Sequence, residues 1–365
     1  MGTVRLRRRR RSRVRSPGHR GAAPAPPRSA ANRVRGVARP FRFARVMDSQ
    51  AFTPVLGAVL PVVIIALAGV ALRKANWLTE DADASLLKVT INLLSPCLIL
   101  DSILGNKALQ QAGNVLLPPL IGYLTVAAGI AVAMLFRRAA GSKSELEGKT
   151  FAFTVGVHNY GYVAIPLGLL LFERETLGVL FVHNIGTELA FWTIGIAMLG
   201  GPDAGEGWRK LFSPPVLAIL VALGINFAGG KALLPEFVVT TAHLLGQCAI
   251  PLGVILVGAM IADEFHEFHS EGSWRMILAG SVLRLGVLPL AFLLLAKWLP
   301  CSIELKRVMV LQAAMPSAVF PIILAKHYGG DVATAVRVSL GTTIAAVVTI
   351  PLWLRAGAKI LGFEL

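Results

Sequence analysis

The chain has 365 residues, 55% of them hydrophobic and 15% charged, with a mean hydropathy of +0.66. Soluble domains carry about 25% charged residues, so this composition excludes an ordinary soluble globular protein and points to a polytopic membrane protein. The formal charge of +16 does not argue for a nucleic-acid partner, because fifteen arginines, with no lysine or acidic residue, lie in residues 1–46 and the remainder is close to neutral.

Residues 1–46, from RLRRRRRSRVRS to GVARPFRFAR, have no apolar periodicity and read as a disordered tail. Three origins are open: sequence upstream of a misassigned start, a targeting leader, or a basic arm. The GC-rich codon bias of its residues, and Met47 opening MDSQAFTPVLGAVLP before the first apolar stretch, favour the first.

A membrane span needs roughly 20 apolar residues. From Met47 onward ten stretches qualify in length and composition: 54–72, 86–104, 115–136, 150–171, 177–199, 214–230, 237–262, 274–296, 307–326 and 332–354. The expected fold is therefore all-α, with ten transmembrane helices. It divides into residues 47–200, a short linker at 201–213, and 214–356. Five spans per half is an odd number, so a duplicated second half would lie inverted relative to the first.

The fourth stretch, TVGVHNYGYVAIPLGLLLF, carries Asn159, Gly161 and Pro166 in mid-segment. Proline removes a backbone donor and clashes with the preceding turn, so this helix should break. In a bilayer, a break is tolerated where protein or a watery cavity surrounds it. The ninth stretch repeats the pattern in LQAAMPSAVFPIILAKHYG, with Pro316 and Pro321 and, beside them, Gln312 and Ser317. A single offset of 155 residues pairs Pro166 with Pro321, Pro96 with Pro251, and Gly186-Thr187 with Gly341-Thr342. The expectation is an inverted repeat whose broken spans 4 and 9 cross near the midplane and form a binding site. Asn159, the freed amides around Gly161–Pro166 and a half-helix starting there would together favour a carboxylate.

Glu188, in GTELAFW, is a carboxylate at membrane depth, with His183 and Asn184 one turn earlier. Such a group is paired, protonated or part of an ion path. Glu188, Asp101 and His158 are therefore the candidates for ion or proton coupling. Arg284 lies inside the eighth stretch and should snorkel or pair across the bundle.

Cys97, Cys248 and Cys301 show no CxxC or Cys/His spacing and read as small buried hydrophobes. The segment DEFHEFHSEG at 263–272 lacks the HExxH spacing and reads as a solvated acidic loop rather than a metal site. No motif calls for a cofactor or a metal. Lysine and arginine in loops after odd-numbered stretches number eleven, against eight after even-numbered ones and at the C-terminus, which places the central loop in the cytoplasm.

INLLSPCLIL, HNYGYVAIPLGLLLF, IPLGVILVGAMI, AAMPSAVFPIILAKHYGGD and VSLGTTIAAVVTIPLWL together resemble the auxin efflux carrier family of membrane transporters, over about residues 47–356. The resemblance implies ten spans in two inverted repeats, with a scaffold of spans 1, 2, 6 and 7 beside a moving unit of spans 3–5 and 8–10. It implies a secondary transporter of the cytoplasmic (plasma) membrane, carrying small organic anions such as auxin or malate- and malonate-like dicarboxylates, and acting as a homodimer in the lipid bilayer. Substrate contacts transfer to Asn159, Gly161, Pro166, Pro316 and Ser317. Phe320-Pro321 departs from the small or amide residue the family often has there, and argues against a dicarboxylate.

Three other functions remain open: a sodium-coupled organic-anion symporter of the bile-acid carrier type, an intramembrane enzyme, and a non-transporting sensor. The enzyme would need paired carboxylates or a Ser/His pair at matched depth, and only Glu188 and Asp101 present themselves.

Overall fold

The computed structural model describes residues 49–199, 212–269 and 274–365, which lie within the single unit Ala44–Leu365. Residues 1–46, expected as a tail, and 201–211 of the expected linker fall outside the described residues.

Every one of the ten predicted stretches overlaps helix. α1 spans Ser49–Lys74, α2 Glu80–Ile103 and α3 Gly113–Phe136. The fourth stretch is two half-helices, α4 (Glu145–Gly156) and α5 (Ala164–Leu171). α6 covers Arg174–Leu199, α7 Pro214–Ala228, α8 Glu236–His269 and α9 Trp274–Trp298. The ninth stretch is again divided, into α10 (Ile303–Ala314) and α11 (Phe320–Tyr328), and α12 runs over Val332–Leu361. Seven of these helices are long and apolar enough to cross a membrane, and α7 is a shorter apolar helix. The described residues contain no β-strand, only an isolated bridge between His158 and Ser317. The protein is an all-α polytopic membrane protein.

The outer faces carry apolar side chains at helical spacing. Leu60, Ile64 and Leu67 on α1, Leu116, Leu120 and Leu124 on α3, and Leu290 and Leu294 on α9 are all exposed. Such faces suit a lipid environment, where the hydrophobic effect does not hold helices together and close packing must. Glycines supply that packing. A Cβ at Gly186 of α6 would sit 1.7 Å from the carbonyl oxygen of Pro119 on α3, and one at Gly258 of α8 would sit 2.0 Å from that of Ala66 on α1. Trp274 and Trp298 lie exposed at the two ends of α9, as interfacial anchors do.

Two expectations fail. The segment read as a solvated loop at 263–272 continues as helix α8 to His269, with Asp263 paired to Arg73 and Glu264 to Lys326. Those ion pairs hold helix where charge alone suggested loop. Of the three cysteines expected to be buried, Cys97 and Cys301 are half-buried and Cys248 lies on an exposed face of α8, because an apolar exterior lets a small hydrophobe face outward. Among the described residues no His, Cys, Asp and Glu cluster suited to a metal is present.

Candidate functional site

The two breaks come together. Where α4 ends, Val157 leaves the helix, and the amide of Asn159 donates to the carbonyl of Pro316 at 2.8 Å. The amide of Ala318 donates to the carbonyl of Val157 at 2.9 Å. These two bonds flank the His158–Ser317 bridge and tie the crossing segments back to back. Each break is followed by proline within the first turn of the next helix, Pro166 in α5 and Pro321 in α11, and at Pro321 the missing N–H costs no helical bond.

The caps differ between the inner and outer ends of these half-helices. The outer starts are capped by serine: Ser144 accepts from the amide of Glu147 for α4, and Ser302 from that of Leu305 for α10. The inner starts, α5 after Val163 and α11 after Val319, have no side-chain cap. Most of their first-turn amides are already bonded, Ile165 to Gly161, Leu167 to Val163 and Ile322 to Val319, and the amides of Ala164 and Phe320 are left without a partner among the described residues, as donors an anion can satisfy.

A cavity of about 460 Å³ lies at these inner starts, within the usual range for small-molecule sites. Asn159, Gly161, Ile165 and Pro166 line it from the first crossing segment, and Ala318, Val319 and Phe320 from the second. The Asn159 side-chain oxygen accepts from the amide of Val163 at 3.3 Å, while its NH₂ has no protein partner among the described residues. The amide side chain therefore steadies the turn with its acceptor and offers donors to the cavity. The opposite wall is aromatic. Phe191 packs edge-on against Phe320, with centroids 5.6 Å apart, and against Trp192 at 4.9 Å.

The sequence from residue 54 to residue 354 matches a known family. A family model described as membrane transport protein matches residues 54–207 and 204–354. An uncharacterized transporter of Methanothermobacter thermautotrophicus is 30% identical over 307 residues, 81% of this chain and 96% of that protein. An uncharacterized transporter of Methanocaldococcus jannaschii is 24% identical over 306 residues, covering 82% of this chain and 97% of the relative. The uncharacterized transporter YfdV of Escherichia coli K12 is 22% identical over 316 residues, covering 82% and 96%.

The chain belongs to the membrane transport protein family of auxin efflux carriers. As a member of this family it is a multi-pass membrane transporter.

The carrier's cavity brings together four of the residues singled out in the sequence: Asn159, Gly161, Pro166 and Glu188. Among the described residues Glu188 is the one carboxylate in the lining, no lysine, arginine or histidine joins it there, and its Oε2 accepts from Ser213 Oγ at 3.4 Å. Gln312, Pro316, Ser317 and Pro321 do not line this cavity. Gln312 instead donates to the side-chain oxygen of Asn184 at 2.9 Å, and Asn184, a lining residue, donates to the carbonyl of Tyr160. Ser317 gives its amide to Thr342 Oγ1 at 3.2 Å. His158 points away from Asn159, into a second cavity of about 10 Å³ that it shares with His183, Gln312, Thr125, Met309 and Phe292. Both ring nitrogens of His158, Nδ1 of His183 and Oε1 of Gln312 have no partner there, in a space the size of one water. Asp101 lies outside both cavities, 2.9 Å from Arg174 and 3.0 Å from His243.

Two lining groups escaped the sequence reading. α2, α6 and α9 each contain a π turn, at Thr90–Leu94, Phe191–Gly195 and Leu283–Val287. The first two turn Thr90, Ile91, Phe191 and Trp192 toward the cavity. One extra residue in a helical turn leaves no mark in hydropathy, so nothing in the sequence announced them.

Proposed function

We propose that the carrier is a secondary transporter of small organic carboxylates across the cytoplasmic membrane, working by alternating access. The observation that carries this reading is the pair of half-helix starts, at α5 and α11, whose Ala164 and Phe320 amides have no partner among the described residues, meeting at one cavity beside the free NH₂ of Asn159. Oriented N–H donors without an acceptor stabilise an anion where water is scarce. The wall of Phe181, Phe191, Trp192 and Phe320 suits an apolar body behind a single carboxylate better than it suits a second one.

In this reading the seven long helices, α7 and the two divided pairs make ten spans in two inverted halves, with the linker on the cytoplasmic side. The scaffold is α1, α2, α7 and α8, and the moving unit is α3–α6 with α9–α12. Glu188 would repel a bound anion when ionised, so the substrate enters with a proton on Glu188. That makes the proton the coupling ion.

The test is counterflow in proteoliposomes loaded with unlabelled carboxylate. Saturable accumulation of a labelled aliphatic or aromatic monocarboxylate supports the reading. No saturable exchange with any mono- or dicarboxylate defeats it, and uptake that depends on sodium moves the assignment to a sodium symporter.

A further inference from the structure

Arg284 sits on the π turn of α9, fully buried, and does not line the large cavity. Its Nε donates to the carbonyl of Met315 at 2.9 Å, and one terminal nitrogen to those of Gln312 at 3.2 Å and Ala313 at 3.5 Å. The ring of Phe292 covers it at 5.7 Å. No carboxylate pairs with it among the described residues, and its other terminal nitrogen has no partner. A buried guanidinium without a counter-anion is costly, so the fold holds it there against a penalty.

The crossover shows what the charge does. Four helix ends meet: the starts of α5 and α11 and the ends of α4 and α10. Each carries roughly half a charge, positive at the starts and negative at the ends, so together they nearly cancel. Arg284 covers the end of α10 with a full positive charge and leaves the crossover net positive. The link to the cavity is short. Met315 takes Arg284, the next carbonyl, of Pro316, takes the amide of Asn159, and the Asn159 side chain lines the cavity.

We propose that Arg284 is the specificity-determining charge that makes the crossover cavity select anions, acting through the end of α10 without touching substrate. This deepens, and rests on, the carboxylate reading above. It also answers how a cavity whose described lining holds a carboxylate and no cation accepts an anion.

The experiment is binding to the purified full chain of benzoate, phenylacetate and hexanoate, each beside its neutral amide. Wild type should prefer at least one acid to its amide. Arg284→Lys keeps the charge and loses the fork, and should hold that preference within about threefold. Arg284→Gln keeps a donor and loses the charge, and should lower the acid-to-amide ratio about tenfold while leaving amide affinity in place. If folded Arg284→Gln keeps the wild-type ratio, the inference is overturned and the carboxylate reading stands. If wild type prefers no acid to its amide, the carboxylate reading falls and the inference with it. Should Arg284→Gln not fold, Arg284→Lys decides: a kept preference supports charge, and a lost one overturns it.

Discussion

The backbone amide of Asn159 donates to the carbonyl of Pro316 at 2.8 Å, while the Asn159 side chain faces the cavity. One residue therefore joins the two broken helices and presents a polar group at their junction. The main-chain bond is independent of the side chain, so substitutions at Asn159 alter the site without untying the crossover.

That separation gives the first prediction. Asn159→Asp keeps an oxygen to accept from Val163 and replaces the free NH₂ with negative charge. It should fold like wild type and lose carboxylate binding by more than tenfold. Asn159→Ala removes both roles. It should weaken binding and lower stability by about 1 kcal/mol, the usual net cost of losing one such hydrogen bond. Thermal unfolding with and without ligand measures both.

In the proposed mechanism Glu188 sets the pH dependence. An anion beside it binds best when it is protonated, so affinity and exchange should fall as pH rises. Glu188→Gln mimics the protonated form and should flatten that profile. Exchange rates across pH in proteoliposomes decide it, and an unchanged profile in Glu188→Gln removes Glu188 from the coupling.

The sequence made much of this legible. Proline and glycine mark breaks only because a membrane helix must keep its backbone bonded, so Pro166 and Pro321 showed where the helices divide. Asn159 stood out as an amide in an apolar run. The partners of those residues were not legible. Gln312 looks as polar as Asn159, yet only the packing of α10 against α6 shows that it serves Asn184 rather than the cavity. Arg284 was visible as a charge within a span, but its acceptors are backbone carbonyls, which are present at every position and carry no signal in sequence.

Gly186 and Gly258 should tolerate no side chain. A methyl group at either position would overlap a backbone carbonyl that cannot rotate away. Alanine at Gly186 should force α3 and α6 apart, and alanine at Gly258 should do the same to α1 and α8, each costing about 1–3 kcal/mol. Alanine at Gly57, where nothing lies within 4 Å, is the control and should be neutral. Thermal unfolding of the three variants in detergent makes the comparison.

Asp101 should matter little to binding. Its contacts to Arg174 and His243 are partly exposed, and such pairs contribute about 0–1 kcal/mol. Asp101→Asn should leave carboxylate affinity within twofold of wild type, read by equilibrium binding.

The most direct test of the central claim is a thermal-shift titration of the purified full chain against a panel of monocarboxylates and dicarboxylates, with Asn159→Asp alongside. A ligand that binds the folded state raises the melting temperature by mass action. The account predicts that at least one monocarboxylate with an apolar body stabilises wild type, and that Asn159→Asp, equally folded, loses the shift. A carboxylate that stabilises both proteins equally would place its site away from the crossover and contradict the account.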